Sequence, residues 1–266
     1  MSCLRRLPAS VSRSISASYL LSSFSKVVEG LLLHCAARSD CKSLRLSVST
    51  ARHCVLLSVS GVTYDRPYLE TLVTSAATAS ETDDFLLRLS DVADVFLSSR
   101  HASSNDTLLF RRCQAGECFL GFDAPRADAG TTIRVQKIFW NLPVRQLAMK
   151  AALEWDSIRA KVASFICCFP DISVALEDTD SVAKTIIASA AMPPTSASIT
   201  QKLLSLSGGD VVDFASVSVP GLLEVSLFHV RGARNAMQKM QFVHVNGIPI
   251  DLPNLTSAIS VNLSEA

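Results

Sequence analysis

Apolar positions along the chain mark out most of the elements before any motif is considered. Between Ser22 and Ala37 they fall at Phe24, Val27, Val28, Leu31, Leu32 and Cys35, the three-and-four spacing of a helix that buries one stripe. Ser43 to Thr50 alternates through Leu44, Leu46 and Val48, which predicts a half-buried strand. Val55 to Ser60 predicts another. Helices are predicted over Tyr68 to Ala79 and over Asp84 to Ser98, the second with Phe85, Leu89, Val92 and Phe96 on one face. Thr107 to Arg112 and Glu117 to Gly121 flank Gln114-Ala115-Gly116 as a hairpin. A further strand opens at Gly130-Thr131-Thr132 and alternates through Ile133, Arg134, Val135 and Gln136. It runs on into the apolar Ile138, Phe139 and Trp140 and is broken by Asn141-Leu142-Pro143. A long amphipathic helix is predicted over Gln146 to Phe169, with Ala151, Trp155, Ile158, Val162, Phe165, Ile166 and Phe169 inward, and a strand over Asp171 to Leu176.

A domain boundary is expected in the small, Pro-containing stretch Ala188 to Ser198, which includes Pro193-Pro194. A short helix around Ile199 to Leu206, a break at Gly208-Gly209, and strands near Leu222–Val230 and Gln241–Asn246 follow. This order of elements predicts an α+β sandwich with helices covering one face of a mixed sheet. At 266 residues the chain is long enough for one or two domains with a sizeable core. Hydrophobic content of 48% with only 6% aromatic residues makes that core aliphatic.

The net charge of +1 provides no overall basic field, so any nucleic-acid contact must come from a local patch. Eight cysteines occur without paired Cys-x-x-Cys motifs, and they read as reduced intracellular thiols rather than a zinc site or a disulfide framework. No apolar run approaches the ~18 residues of a membrane span. The first 28 residues lack Asp and Glu but hold Arg5, Arg6, Arg13, Lys26 and many serines. That is the composition of a mitochondrial transit peptide, set against the reading of the same stretch as the first helices of the fold.

The run Gly130 to Arg145, GTTIRVQKIFWNLPVR, resembles the Gly-Thr-Thr…Asn-x-Pro-x-Arg signature of the MutL family of DNA mismatch-repair proteins. Other landmarks fall in family order. The N-terminal LPASVSRSISASYLLSSFSKVVEGLLLHC is similar to the family's first helices, which favours fold over presequence there. GVTYDRPYLETLVTSAATAS resembles the segment from the Asp-Asn-Gly-x-Gly motif to the Thr-Ser-Lys-like step. NAMQKMQFVHVNGIPI resembles the Gln-Phe-x-x-Val-Asn-Gly-x-Pro strand of the second domain. Asn235 to Gln241 and Leu142-Pro143-Val144-Arg145 look most like the eukaryotic branch linked to meiotic crossovers.

The resemblance implies a nucleotide-binding fold of the gyrase, Hsp90, histidine-kinase and MutL (GHKL) type over residues 1–190. It also implies a ribosomal-S5-like second domain over 191–266, incomplete. ATP and Mg²⁺ are the family's cofactors. In the family a Glu on the first long helix polarises the attacking water and an Asn one turn later holds Mg²⁺. An Asp at a strand end accepts from the adenine amino group, and a glycine-bearing lid cradles the phosphates with backbone N–H groups. A Lys from the second domain reaches the terminal phosphate.

Carried onto this sequence, those residues are missing. The helix motif Glu-Leu-x-x-Asn-Ser-x-Asp-Ala falls on Gly30 to Arg38, so Gly30 stands at the base, His34 at the metal ligand and Ala37 at the Asp. Glu29 precedes the base position by one residue, about 100° around the helix. Imidazole suits transition metals better than Mg²⁺, so His34 reads as a surface or core-satisfied histidine and no metal site is expected. Asp-Asn-Gly-x-Gly falls on Val59 to Thr63 and keeps only Gly61, while ETDDFLLRL stands where the lid should be, without a glycine. Asn254 stands at the Lys position. Residual nucleotide contacts are expected at Gly61, Thr131 and Thr132.

DNA contacts are expected at Arg145, Arg231, Arg234 and Lys239, sequence-independent and salt-sensitive, unless these charges are simply a solvated face. A MutL-family paralogue is the expected partner of a full-length form, and no membrane is. The family's dimerisation region and any endonuclease site are expected to lie outside a chain that ends at Ala266. The reading is a nuclear MutL-like mismatch-repair or meiotic-recombination protein acting as a DNA- or partner-binding module, with ATP binding and hydrolysis weak or lost. The alternatives are a divergent ATPase that uses Glu29 with Asp83 or Asp84, and a truncated, non-functional fragment.

Overall fold

The computed structural model describes residues 8–78, 84–113, 117–180, 184–207, 211–219, 223–231, 241–246 and 248–250. Two helices come first, α1 (Ala9–Leu20) and α2 (Phe24–Ala36). The Ser23 hydroxyl caps α2 by accepting from the Lys26 N–H at 3.2 Å, which satisfies one of the donors left open at a helix start. The apolar stripe of α2 is buried from Phe24 to Cys35, as its spacing dictates.

A mixed sheet of eight strands is the frame of the first unit, in the order β5-β4-β3-β6-β2-β1-β7-β8. Its strands are β1 (Ser43–Ser49), β2 (Cys54–Ser60), β3 (Asp94–Arg100), β4 (Thr107–Arg112), β5 (Cys118–Phe122), β6 (Gly130–Gln136), β7 (Ser173–Asp178) and β8 (Lys184–Ser189). β1 runs parallel to β7 and antiparallel to β2, and β6 is paired on both sides, with β2 and with β3. Leu46, Leu57, Leu97, Phe110, Ile133, Val135 and Leu176 are fully buried on it. Between β2 and β3 lie α3 (Arg66–Thr78) and the six-residue α4 (Phe85–Ser90); α5 (Pro143–Ala148) and α6 (Ala151–Cys168) follow β6.

The chain divides into two units, one of residues 1–158 with 173–188 and one of 159–172 with 189–266. The second unit holds α7 (Ser196–Ser207) and an antiparallel meander in the order β12-β11-β10-β9. These strands are β9 (Val211–Val219), β10 (Leu223–Arg231), β11 (Gln241–Val245) and β12 (Ile248–Ile250). Within this unit the buried Lys202 donates from Nζ to the Pro170 carbonyl at 2.6 Å, and the buried His244 lies 3.3 Å from the Ser164 hydroxyl.

Three expectations are corrected. The helix predicted from Asp84 to Ser98 stops at Ser90, and residues 94–100 form the central strand β3. Val95, Leu97 and Ser99 are buried there and alternate with the half-buried Phe96, Ser98 and Arg100; an apolar run as short as Val95-Phe96-Leu97 fits helical spacing as well as a strand. The apolar end of the signature strand is a turn. β6 closes at Gln136, and Lys137 and Phe139 take positive φ, 52° and 63°, to reverse the chain. The helix predicted from Gln146 to Phe169 is broken at Met149 and Lys150, and Ala151 is exposed rather than inward. No glycine or proline marks that break. The first turn is fixed from outside, by Arg145 on α1 and by the Gln146 amide on the Ile138 carbonyl at 2.9 Å.

Candidate functional site

α2 puts Gly30 and His34 one turn apart, and Arg38 follows just past its end, so the three lie along one line of the helix. Facing that line are Tyr64, in the turn after β2, Tyr68 in the first turn of α3, and Asp84 and Phe85 at the start of α4. The rings form one stack. His34 lies 5.5 Å from Phe85 and 6.0 Å from Tyr64, nearly parallel to the latter at 8°. Tyr64 lies 5.3 Å from Tyr68. The Arg38 guanidinium sits over both tyrosines, 4.3 Å from the Tyr64 ring and 4.9 Å from the Tyr68 ring, within cation–π range.

Gly30 is the narrowest point. A Cβ placed there would stand 2.2 Å from Phe85 Cε2 and 2.7 Å from Cζ. Any side chain at position 30 would therefore have to displace the Phe85 ring. A glycine inside a helix costs about 1 kcal/mol relative to alanine, and the close approach of Phe85 accounts for it. Glu29 faces elsewhere: its carboxylate is buried and receives Lys26 Nζ at 2.7 Å. Asp84 is engaged too. One carboxylate oxygen accepts from the Leu86 and Leu87 amides at 2.8 and 3.3 Å, the other from the Tyr68 hydroxyl at 2.6 Å. Asp83 and Asn254 lie outside the described residues.

The turn that follows β2 is held by packing. Gly61 has φ +87°, and a Cβ there would meet the Asp40 carbonyl oxygen at 1.8 Å. Thr131 is fully buried and donates to the Val62 carbonyl at 2.8 Å, with the Ser99 hydroxyl 3.1 Å away. Ser99 in turn accepts from the Tyr64 N–H at 2.8 Å. Successive strand residues face opposite ways, so Thr132 leaves this network, and its hydroxyl accepts from Arg126 at 3.0 Å. Of the three residues expected to touch a nucleotide, Gly61 and Thr131 brace the turn and Thr132 is held by Arg126.

A cavity of about 490 Å³ remains beside the stack, lined by His34, Ala37, Arg38, Ser39, Asp40, Val62 and Thr63. Val59, expected at the adenine-acceptor position, is buried in β2. Burial holds the His34 imidazole down to about 4, with Asp84 opposing and Arg38 reinforcing the shift. It is neutral at physiological pH, and its Nε2 is buried without a hydrogen-bond partner. Burial pushes the neighbouring Cys35 thiol up to about 12, which leaves it unreactive. Among the described residues no three His, Cys, Asp or Glu side chains come together to hold a metal ion.

These histidines set an expected pH dependence. His34 and His244 both titrate near 4 in the folded chain because burial disfavours their charge, against about 6.5 when unfolded. Below that value the unfolded state binds the extra protons, so the stability is present above pH 6.5 and drains as pH falls toward 4. Each histidine contributes about 1.4 kcal/mol per pH unit in that window. Urea unfolding at successive pH values should show the decline, and His34→Gln should remove one histidine's share of it.

The Asn141-x-Pro-x-Arg145 turn ties elements together. Asn141 Nδ2 donates to the Asp91 carbonyl at 3.1 Å and to the Ser14 hydroxyl at 3.0 Å. Arg145 Nη1 donates to the Ser18 and Leu21 carbonyls at 2.7 and 3.2 Å, and its guanidinium lies over the Phe139 ring. A cation on the last carbonyls of a helix complements the partial negative charge there. Arg231 ends β10, where it pairs with Val211, and Arg234 and Lys239 lie outside the described residues.

No protein-family model matches the chain. A 56-residue stretch is 38% identical to the DNA mismatch repair protein Mlh3 of Homo sapiens, covering 21% of this chain and 4% of that protein's length. The fold matches the crystal structure of the N-terminal domain of a DNA repair protein with a TM-score of 0.69, at 16% identity, over 91% of this chain and 79% of that one. It matches the Aquifex aeolicus MutL ATPase domain complexed with ADP with a TM-score of 0.58, at 14% identity, over 96% and 87%. The fold is that of a MutL ATPase domain. The chain resembles the MutL family of DNA mismatch-repair proteins. The sequence singled out Gly30, His34 and Val59 but not Phe85, Tyr64, Tyr68 and Arg38, which pack around the first two. The signal that pointed to them was a glycine in the middle of a buried helix.

Proposed function

We propose that the chain is a MutL-like DNA-repair module that binds DNA or a MutL-family paralogue, with ATP binding and hydrolysis weak or lost. The observation that carries this is the Phe85 ring against Gly30, because it takes the space a general base would need. Three further features support it. A neutral imidazole stands at the Mg²⁺-ligand position, Val59 cannot accept from an adenine amino group, and Arg38 stacks on Tyr64 and Tyr68 beside the cavity. The donors present, an imidazole and a valine at the two positions, do not suit Mg·ATP. The carboxylates that a divergent ATPase would draw on, Glu29 and Asp84, are both occupied by partners within the chain. A nuclear location and a part in meiotic recombination belong to the same proposal, on the resemblance of the 142–145 and 235–241 segments.

Phosphate release from Mg·ATP by the purified chain should not exceed background, and nucleotide affinity should be weaker than millimolar. Millimolar or tighter binding together with turnover would sink the proposal. Duplex DNA should bind with a log–log salt slope of about −3, one phosphate each for Arg231, Arg234 and Lys239. Arg145→Ala should leave that slope unchanged because its guanidinium is committed to α1. An absence of binding at low salt would remove DNA from the proposal and leave the protein partner.

A further inference from the structure

The candidate site is closed by a very short element. α4 has only six residues, too few to hold a helix by propensity, so its position depends on what grips its ends. At its start a single carboxylate does two things. Asp84 Oδ1 caps the helix through the Leu86 and Leu87 amides, and Asp84 Oδ2 accepts the Tyr68 hydroxyl of α3 at 2.6 Å. The next residue is Phe85. Fixing Asp84 against α3 therefore fixes where the Phe85 ring enters, and the ring lands on Gly30 and His34. The stack closes on itself: Phe85 on His34, His34 on Tyr64, Tyr64 on Tyr68, and Tyr68 on Asp84. Arg38 covers both tyrosines.

We propose that Tyr68 and Asp84 form a latch at the start of α4 that holds Phe85 as a wedge over Gly30, so that the pocket is kept shut from inside the chain by a side-chain hydrogen bond at one end of a helix whose other end Arg112 holds. The latch stands on this geometry alone and does not depend on what the domain binds. Opening it frees α4 and its ring from α2 and joins the space under the ring to the 490 Å³ cavity lined by His34 and Arg38. The closed state is thus a conformational position of α4, separate from the loss of the catalytic residues.

Tyr68→Phe is the test, because it keeps the ring under Arg38 and against Tyr64 and removes only the hydroxyl. In the purified chain, hydrogen exchange of the Phe85–Ser90 amides, resolved by mass spectrometry, should quicken about tenfold, the scale expected for one bond to a charged acceptor. Exchange in β6 and α6 should not change. Phe85→Ala should raise the His34 titration midpoint, read by NMR, from about 4 toward its ordinary value as water reaches the ring. Should that variant fail to fold, Phe85→Leu gives the same comparison at smaller amplitude. The latch is overturned if Tyr68→Phe leaves the α4 amides at wild-type rates or quickens every segment alike. The wedge is overturned if the His34 midpoint stays put in a folded Phe85 variant. ATP turnover by the wild-type chain would defeat the functional proposal and leave both of these outcomes to be read on their own.

Discussion

Gly61→Ala should destabilise the first unit by about 3–5 kcal/mol, one of the largest single-residue effects expected in the chain. Two costs add at this position. The backbone sits at φ +87°, which L side chains rarely adopt, and the new Cβ would lie 1.8 Å from the Asp40 carbonyl oxygen and 3.0 Å from its carbon. That neighbour is backbone and cannot rotate aside. It is also held in place, because the Lys42 N–H donates to the Ser60 carbonyl at 3.1 Å and β1 pairs with β2 from Ser43 and Ser60 onward. Urea unfolding of the wild type and the variant measures the difference. Gly61→Asn separates the causes, since asparagine tolerates positive φ better than alanine but brings the same Cβ. Equal losses in both variants assign the cost to the Asp40 contact. A loss under about 1 kcal/mol in Gly61→Ala would mean that the 40–61 contact is not as described. Gly61 is the one residue of the Asp-Asn-Gly-x-Gly pattern retained here, and this packing gives a reason for it that needs no ligand.

The parts of the fold that could be read from the sequence are those where local pattern and burial agree. α2 is the clearest. Its apolar residues recur at helical spacing, Ser23 caps it, and nothing else in the sequence competes for that stretch. β1 and β2 alternate because one face is buried and the other is not. β3 alternates in burial as well, but its short apolar run also fits a helix. Phe85, Leu89, Val92 and Phe96 satisfy a helix, yet Val95 and Leu97 are fully buried in the sheet between β4 and β6. Only the pairing of those strands, which no local window contains, decides between the two. The break between α5 and α6 likewise comes from partners far along the chain, Ser18 and Leu21 for Arg145.

The candidate site divides in the same way. Residue types can be read from one sequence, so the glycine at 30, the histidine at 34 and the valine at 59 were legible. What packs beside Gly30 was not, because the Phe85 ring reaches it from 55 positions away through the placement of α4. The signature run was legible as a motif, but its physical work emerges only with α1 and α4 in place, when Asn141 and Arg145 are found bonding their carbonyls.

Asp91→Ala should cost about 3 kcal/mol, near the lower end for breaking a buried ion pair. Asp91 stands at the C-cap of α4, and its carboxylate receives Arg112 Nη2 at 2.7 Å, with the two side chains 9% and 8% exposed. Arg13 Nε approaches the other oxygen at 3.8 Å. Truncation leaves the Arg112 guanidinium buried beside a cavity without its counter-charge. The loss is softened because Arg112 Nη1 still donates to the Leu87 carbonyl and to the Ser90 hydroxyl, at 3.3 and 2.5 Å. A double-mutant cycle with Arg112→Ala resolves the pair. Once Asp91 is gone, removing the stranded arginine should cost far less than it does in the wild type, so the two losses should fall well short of additive. Additive losses would show that the two side chains act independently and would dissolve the clamp. The clamp also bears on the pocket. Arg112 grips the last turn of α4 as Asp84 grips its first, and the Asp91 backbone carbonyl carries Asn141 of the signature turn. Asp91→Ala keeps that carbonyl and the Tyr68–Asp84 bond. Hydrogen exchange in the variant should therefore loosen α4 from its C-terminal end, whereas Tyr68→Phe loosens it from the start. Two variants at opposite ends of a six-residue helix thus report separately on what keeps Phe85 in place.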